Sequence, residues 1–240
     1  MTPPLPLAVA GHAERAMAAA AQGDHAQAVA VFGTALDVAA QAVLPPSVPI
    51  ALLRARSASL IALGRLDAAA ADVARACEIG DPALAPFLRT EHADRLLDAG
   101  YAAEARSALP SEADAEPLNR AEITLVRARL ARHAGDAAQA RQLAEAARRI
   151  ARQAVAPVPY FAAGVLLADL RDAAGDRIGA YGILATAWAT LGDLLGAPVA
   201  RSWVEPCLLA LRLRWGDAGF AAAKAAHDAR RRAAMAEVVP

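Results

Sequence analysis

The chain has 240 residues, of which 57% are hydrophobic, only 4% aromatic, and 70 are alanine. That length suits one elongated array or a pair of domains, and so much alanine beside so few β-branched and aromatic residues favours helix and all but excludes an all-β or doubly wound fold. Charge is balanced at 25 basic against 25 acidic residues, so no overall field exists to concentrate nucleic acid or an anionic membrane.

The first residues, Met1 to Ala10, are apolar and Pro-rich but have neither a basic leader nor an apolar core of secretory length. No run approaches the ~18 uninterrupted apolar residues of a membrane span, and the expectation is a soluble, cytoplasmic protein. Cys77 and Cys207 lie far apart, with no CxxC and no His at ligand spacing. A disulfide scaffold or a zinc site therefore has no support.

Prolines then punctuate the chain in groups, at 45, 46 and 49, at 82 and 86, at 110 and 117, at 157 and 159, and at 198 and 206. Each group should end one helix and admit another. The segments between them predict helix-turn-helix hairpins at about 7–44, 47–81, 83–109, 117–155, 158–197 and 201–236, in one array spanning 1–240. Every segment carries a glycine: Gly23, Gly64, Gly100, Gly135, Gly175 and Gly216, spaced 41, 36, 35, 40 and 41 residues apart.

In the first segment, Gly23 is followed by His25, Ala28, Phe32 and Ala35; in the second, Leu53, Leu60 and Leu63 precede Gly64, and Leu66, Ala69, Val73 and Ala76 follow it. The third is cut short at Pro110. In the fourth, Ile123, Val126 and Leu130 lead to Gly135, with Leu143 and Ile150 beyond. These spacings place one apolar face on each helix. Five residues after the glycine alanine always stands, at 28, 69, 105, 140, 180 and 221; seven before it the residue is small at Ala16, Ser57, Ala93, Ala128 and Ala168, with Leu209 the exception. Short side chains there let two antiparallel helices approach closely, and glycine supplies the tight turn. Asp24, Asp136, Asp176 and Asp217 follow the glycine directly, where a carboxylate caps the second helix.

At these residues, from about Leu7 to Ala234, the chain resembles the tetratricopeptide repeat family, whose unit is a helix-turn-helix of about 34 residues with small residues at the helix contacts. Several spacings here are nearer 40, and the large aromatics usual in the first helix are mostly absent. The longer units also resemble the sensor arrays attached to some bacterial transcription regulators. The resemblance implies an all-α, right-handed α-solenoid of about six hairpins. It also implies that the first helices line a concave groove in which a peptide or helix of another protein lies.

No catalytic constellation appears. The five histidines, His12, His25, His92, His133 and His227, are scattered, and there is no phosphate loop, GxSxG elbow or metal spacing. Carboxylates one helical turn apart, Asp94 with Asp98 and Asp169 with Asp172, read as solvated charges. The arginines at 148, 149 and 152 and at 230–232 suit helix C-termini without any ligand. The expectation is therefore a non-enzymatic interaction module, an adaptor or scaffold without cofactor or metal, that binds neither nucleic acid nor membrane; homo-oligomer formation is left open. The alternative is a regulatory sensor that binds a small metabolite or peptide and signals to a partner.

Residues six and three before the turn glycine fall on one side of each first helix. Charge on that side is confined to the middle of the array, and the partner site is placed at Asp94, Arg129, Arg132 and Asp169, with Trp203 as an apolar anchor. These charges either select a polar partner or pair with each other between helices. Eight before the glycine stand Arg15, Arg56, His92 and Arg127, at the centre of the apolar face; they must find carboxylates, snorkel, or line an anion channel. Seven of the ten aromatics lie in the last third, which suits either a docking face or a larger core in the terminal hairpins.

Overall fold

A computed structural model describes residues 5–112 and 115–236. The protein is all-helical, 85% helix, without a strand among the described residues. It divides into two compact units, Met1–Ser111 and Glu112–Pro240.

The first unit contains α1 (Leu5–Ala21), α2 (His25–Ala39), α3 (Ser47–Ala62), α4 (Leu66–Ile79), α5 (Ala85–Asp98) and α6 (Ala102–Ala108), with a 3-10 turn at Pro82–Leu84 before α5. Each helix packs on the next, and α3 also touches α1 and α5. Around α1 and α2 the core gathers Val9, Phe32 and Leu52 with buried alanines; around α3 to α5 it gathers Ile50, Leu53, Val73 and Leu88.

The second unit contains α7 (Pro117–His133), α8 (Ala137–Gln153), α9 (Pro157–Ala173), α10 (Arg177–Leu195) and α11 (Ala197–Ala236). Neighbours again pack in sequence, and α7 also meets α9. Helix α11 is broken at Gly216, whose backbone has φ 73° and ψ 165°. Its largest core cluster holds Tyr160, Tyr181 and Trp215, with Phe161, Trp188, Trp203 and Phe220 packed against it. The seven late aromatics thus build one core. Helix α10 has the length and apolar composition of a membrane span, but Ala180, Tyr181, Leu184, Ala187 and Leu191 on it are buried inside this unit.

The turn glycines explain why the hairpins are legible. All six have φ between 70° and 90°, a region that costs an L-residue roughly 1–2 kcal/mol. Immediately after three of them, the carboxylates of Asp24, Asp136 and Asp176 accept from the backbone N–H of Gln27, Gln139 and Gly179 at 2.9, 2.9 and 2.8 Å. These are N-caps, as the sequence position implies. At the helix contacts, Ala28, Ala69, Ala105, Ala140 and Ala180 are each 0% exposed, and Ala16, Ser57, Ala93, Ala128 and Ala168 no more than 2%.

The last segment departs from this register. Ala221 is exposed and Leu209 is 53% exposed, while Leu211 and Ala223 are buried. Both buried positions lie two residues later in the chain than in the other hairpins, five before Gly216 instead of seven and seven after it instead of five. The backbone there runs almost directly from one helix into the other, so the register of the preceding hairpins does not carry through the break. Asp217 pairs with Arg212 across it.

Candidate functional site

The charges expected on the first helices belong to different units. Asp94, half-buried on α5, is in the first; Arg129, Arg132, Asp169 and Trp203 are in the second. In the second unit Arg132 Nη1 on α7 donates to Asp169 Oδ2 on α9 at 3.4 Å, with side chains 53% and 37% exposed. One turn further along α9, Asp172 accepts from Arg214 Nη1 and, at 2.7 Å, from the indole N–H of Trp215, both on α11. A row of alternating charge thus crosses α7, α9 and α11. Its outer members, Arg132 and Arg214, are exposed, and Asp172 between them is only 9% exposed. Arg129, half-buried on α7, is itself engaged. The pairing between helices, one of the two alternatives for these charges, is therefore present for Arg132 and Asp169.

Trp203 is half-buried on α11. Its ring is tilted against Phe161, centroids 5.6 Å apart, at the edge of the aromatic core. Part of its surface therefore serves packing, and the remainder is accessible. Behind it Tyr160 donates to Thr190 Oγ1 at 3.1 Å and accepts from Arg148 Nη2 at 3.0 Å, while the same guanidinium lies over its ring at 5.0 Å.

Of the basic series expected at the centre of the apolar face, Arg15 and Arg127 are exposed instead, and only Arg56 and His92 turn inward. Arg56 makes a two-pronged pair with Asp72 of α4, whose side chain is only 6% exposed. Those hydrogen bonds hold the Arg56 guanidinium above its ordinary pKa against the opposing effect of burial. Arg127 reaches Glu112 at 2.7 Å, and Arg15 donates to His12 Nδ1 at 2.9 Å. Carboxylates, not an anion channel, thus meet Arg56 and Arg127. Asp72 was the unanticipated member: it lies on the apolar face of α4 between Ala69, Val73 and Ala76, and a carboxylate in that company is the signal that an inward arginine faces it. On the far side of α3, Arg54 forks onto Glu91, which also holds Arg95, and stacks over Phe87 at 5.3 Å.

His92 is the remaining member, only 6% exposed. Its Nδ1 lies 3.4 Å from Ser57 Oγ, which lies 3.2 Å from the Ala69 carbonyl. Burial, and then the charge of Arg95, pushes the imidazole below its ordinary pKa.

No group of three or more His, Cys, Asp or Glu among the described residues is arranged to hold a metal ion. The Cys207 thiol is pushed up from its ordinary value, first by burial and then by the charge of Asp169. It is therefore a poor nucleophile at neutral pH. Two cavities open in the first unit. One, of about 410 Å³, is walled by apolar side chains of α1, α2 and α3, among them Val9, Met17, Phe32 and Leu52. The other, of about 510 Å³, lies among α4, α5 and α6 and includes His92. No family model matches the chain, and no curated protein or solved structure is significantly similar to it.

Proposed function

We propose that the protein is a non-enzymatic interaction module, an adaptor or scaffold. In this reading its hairpins are tetratricopeptide-like repeats, stacked as a right-handed solenoid, and their first helices form a groove for a peptide or helix of another protein. The observation that carries the reading is the exposed charges of the second unit, Arg132 paired with Asp169 and Arg214 near them. An ion pair this exposed contributes only ~0–1 kcal/mol to folding, so a partner's charges can replace it at little cost. Fixed alternating charges select orientation and register. Trp203 adds a half-buried apolar edge on α11, and Asp94 stands on a first helix of the other unit.

The test is affinity capture from native cells at low salt, with mass spectrometry, using wild-type protein and an Arg132→Glu variant as parallel baits. A stoichiometric protein captured by the first and lost by the second supports the reading. Equal capture by both baits removes the charge row from the account. Turnover of a small molecule abolished by one carboxylate substitution would replace the whole reading with catalysis.

The two cavities of the first unit favour a second reading, a regulatory sensor that takes up a small metabolite or peptide and passes the change to a partner. Thermal stabilisation by a metabolite, without any stoichiometric protein partner, would select it.

A further inference from the structure

The 510 Å³ cavity of the first unit has a polar lining of one kind. Asp67 at the start of α4 and Glu104 at the start of α6 stand at its rim, and Leu66, Ala70 and Leu96 supply apolar wall. Acidic residues at helix starts would not by themselves define a site. What distinguishes this one is His92, more than nine-tenths buried, which is among the residues lining the same cavity.

The ring's tautomer follows from its neighbours. Ser57 Oγ lies 3.2 Å from the Ala69 carbonyl oxygen. A hydroxyl has one proton, and an oxygen at that distance from a carbonyl must donate it there or set lone pair against lone pair. With its proton committed, Ser57 can only accept at its second contact. His92 Nδ1, at 3.4 Å, is then the donor. Nδ1–H in a neutral imidazole leaves Nε2 as an unprotonated acceptor. Among the described residues Ser57 is the ring's hydrogen-bonding partner. The hydroxyl of Ser107, also in the lining, gives its proton to the Ala103 carbonyl at 3.2 Å. The side-chain polar groups around the cavity are thus acceptors: an imidazole nitrogen, two carboxylates and a hydroxyl oxygen. Arg95, the cation whose charge acts on His92, has its guanidinium tied to the Arg54 carbonyl at 2.9 Å and to Glu91 at 2.8 Å.

We propose that this cavity binds an organic cation, an ammonium or guanidinium group on a short apolar body, with an N–H donated to His92 Nε2 and the charge countered by Asp67 and Glu104. The apolar body lies against Leu66 and Leu96. A volume of about 510 Å³ is in the range of small-molecule pockets. The same chemistry is presented by a free amine or by a Lys or Arg side chain of a partner. The inference goes beyond the adaptor reading and stands whether or not the charge row of the second unit proves to be a docking face.

The experiment is a titration of the full chain at constant ionic strength, following the His92 ring signals by NMR. The probes are n-butylguanidinium, n-butylammonium and a blocked Ala-Arg-Ala tripeptide, with n-butanol and butyrate as controls. Before any ligand, the ring nitrogen shifts should report Nδ1–H; an Nε2–H tautomer overturns the assignment. Saturable shifts with a cation, and none with butanol or butyrate, are expected. A D67N/E104Q variant, altered only at two exposed rim positions, should bind at least tenfold more weakly while keeping its melting temperature. Preference for the free cations identifies a small-molecule ligand, and preference for the tripeptide identifies a partner's side chain; either supports the site. No saturable shift with any cation, equal binding of the neutral control, or unchanged affinity in the rim variant overturns it.

Discussion

Replacing Arg56 by Met tests whether the inward arginine of α3 is held by its carboxylate. Asp72 accepts both of its arginine hydrogen bonds from this one side chain and is 6% exposed, against 24% for Arg56. The variant strands a buried carboxylate. Removing one partner of a buried pair costs about 3–5 kcal/mol, a large share of the roughly 5–15 kcal/mol that holds a domain folded. For a unit of this size each kcal/mol moves the melting temperature by roughly 4–8 °C, so a fall on the order of 15 °C or more is expected. Pairing R56M with Asp72→Leu removes both charges and should restore stability to within about 1 kcal/mol of wild type, since an apolar replacement of a buried ion pair is often neutral or stabilising. Urea unfolding followed by far-UV circular dichroism measures all three proteins. An R56M cost below about 1 kcal/mol, or a double variant as unstable as the single, would refute the argument that Asp72 depends on Arg56.

Three further outcomes follow from packing and titration. Ala140 is fully buried where α8 meets its neighbours while Ala138 is exposed, so Ala140→Leu should cost about 1–3 kcal/mol and Ala138→Leu almost nothing; equal effects in urea melts would deny the close helix contact. His92 titrates below its ordinary value because of burial and Arg95, with Asp67 of α4 and Glu104 of α6 facing the same cavity. The unfolded chain therefore takes up the proton first. Its contribution is complete above pH ~6.5 and is lost as pH falls through the window below that, down to the folded value. Wild type should lose more stability there than His92→Gln, and identical pH profiles would contradict this. Val155 adopts φ 52° between α8 and α9, so Val155→Asn, which tolerates that conformation better, should raise the melting temperature; a fall would show that Val155 contributes packing outweighing its strain.

The helical architecture was legible because its punctuation is chemical. Glycines at positive φ and the aspartates at 24, 136 and 176 that cap the next helix have few substitutes, and the alanines at helix contacts cannot grow without pushing the helices apart. The last segment was misaligned for the same reason. Gly216 satisfies the pattern by its φ, yet the contact alanine is Ala223 because helix resumes directly after the break. Side-chain partnerships were less legible. Periodicity shows that Arg56 and His92 face inward, but whether Asp72 or Ser57 lies opposite depends on the stagger between helices, which sequence spacing does not set. Asp169 and Asp172 sit three residues apart on α9 and face different helices, one meeting Arg132 and the other Arg214 and Trp215. The sequence placed them together but could not divide their partners.

The most direct test of the interaction-module account is a charge exchange at the exposed row. In Arg132→Asp/Asp169→Arg the ion pair between α7 and α9 is rebuilt with its polarity reversed. Stability should stay within about 1 kcal/mol of wild type, because folding needs only that the two charges be opposite. The partner captured by wild-type protein reads which sign stands on which helix, so its affinity at low salt, measured by calorimetry, should fall at least tenfold. Unchanged affinity in the folded exchange variant would show that the row is only a ladder between helices and would contradict the assignment of this face to recognition.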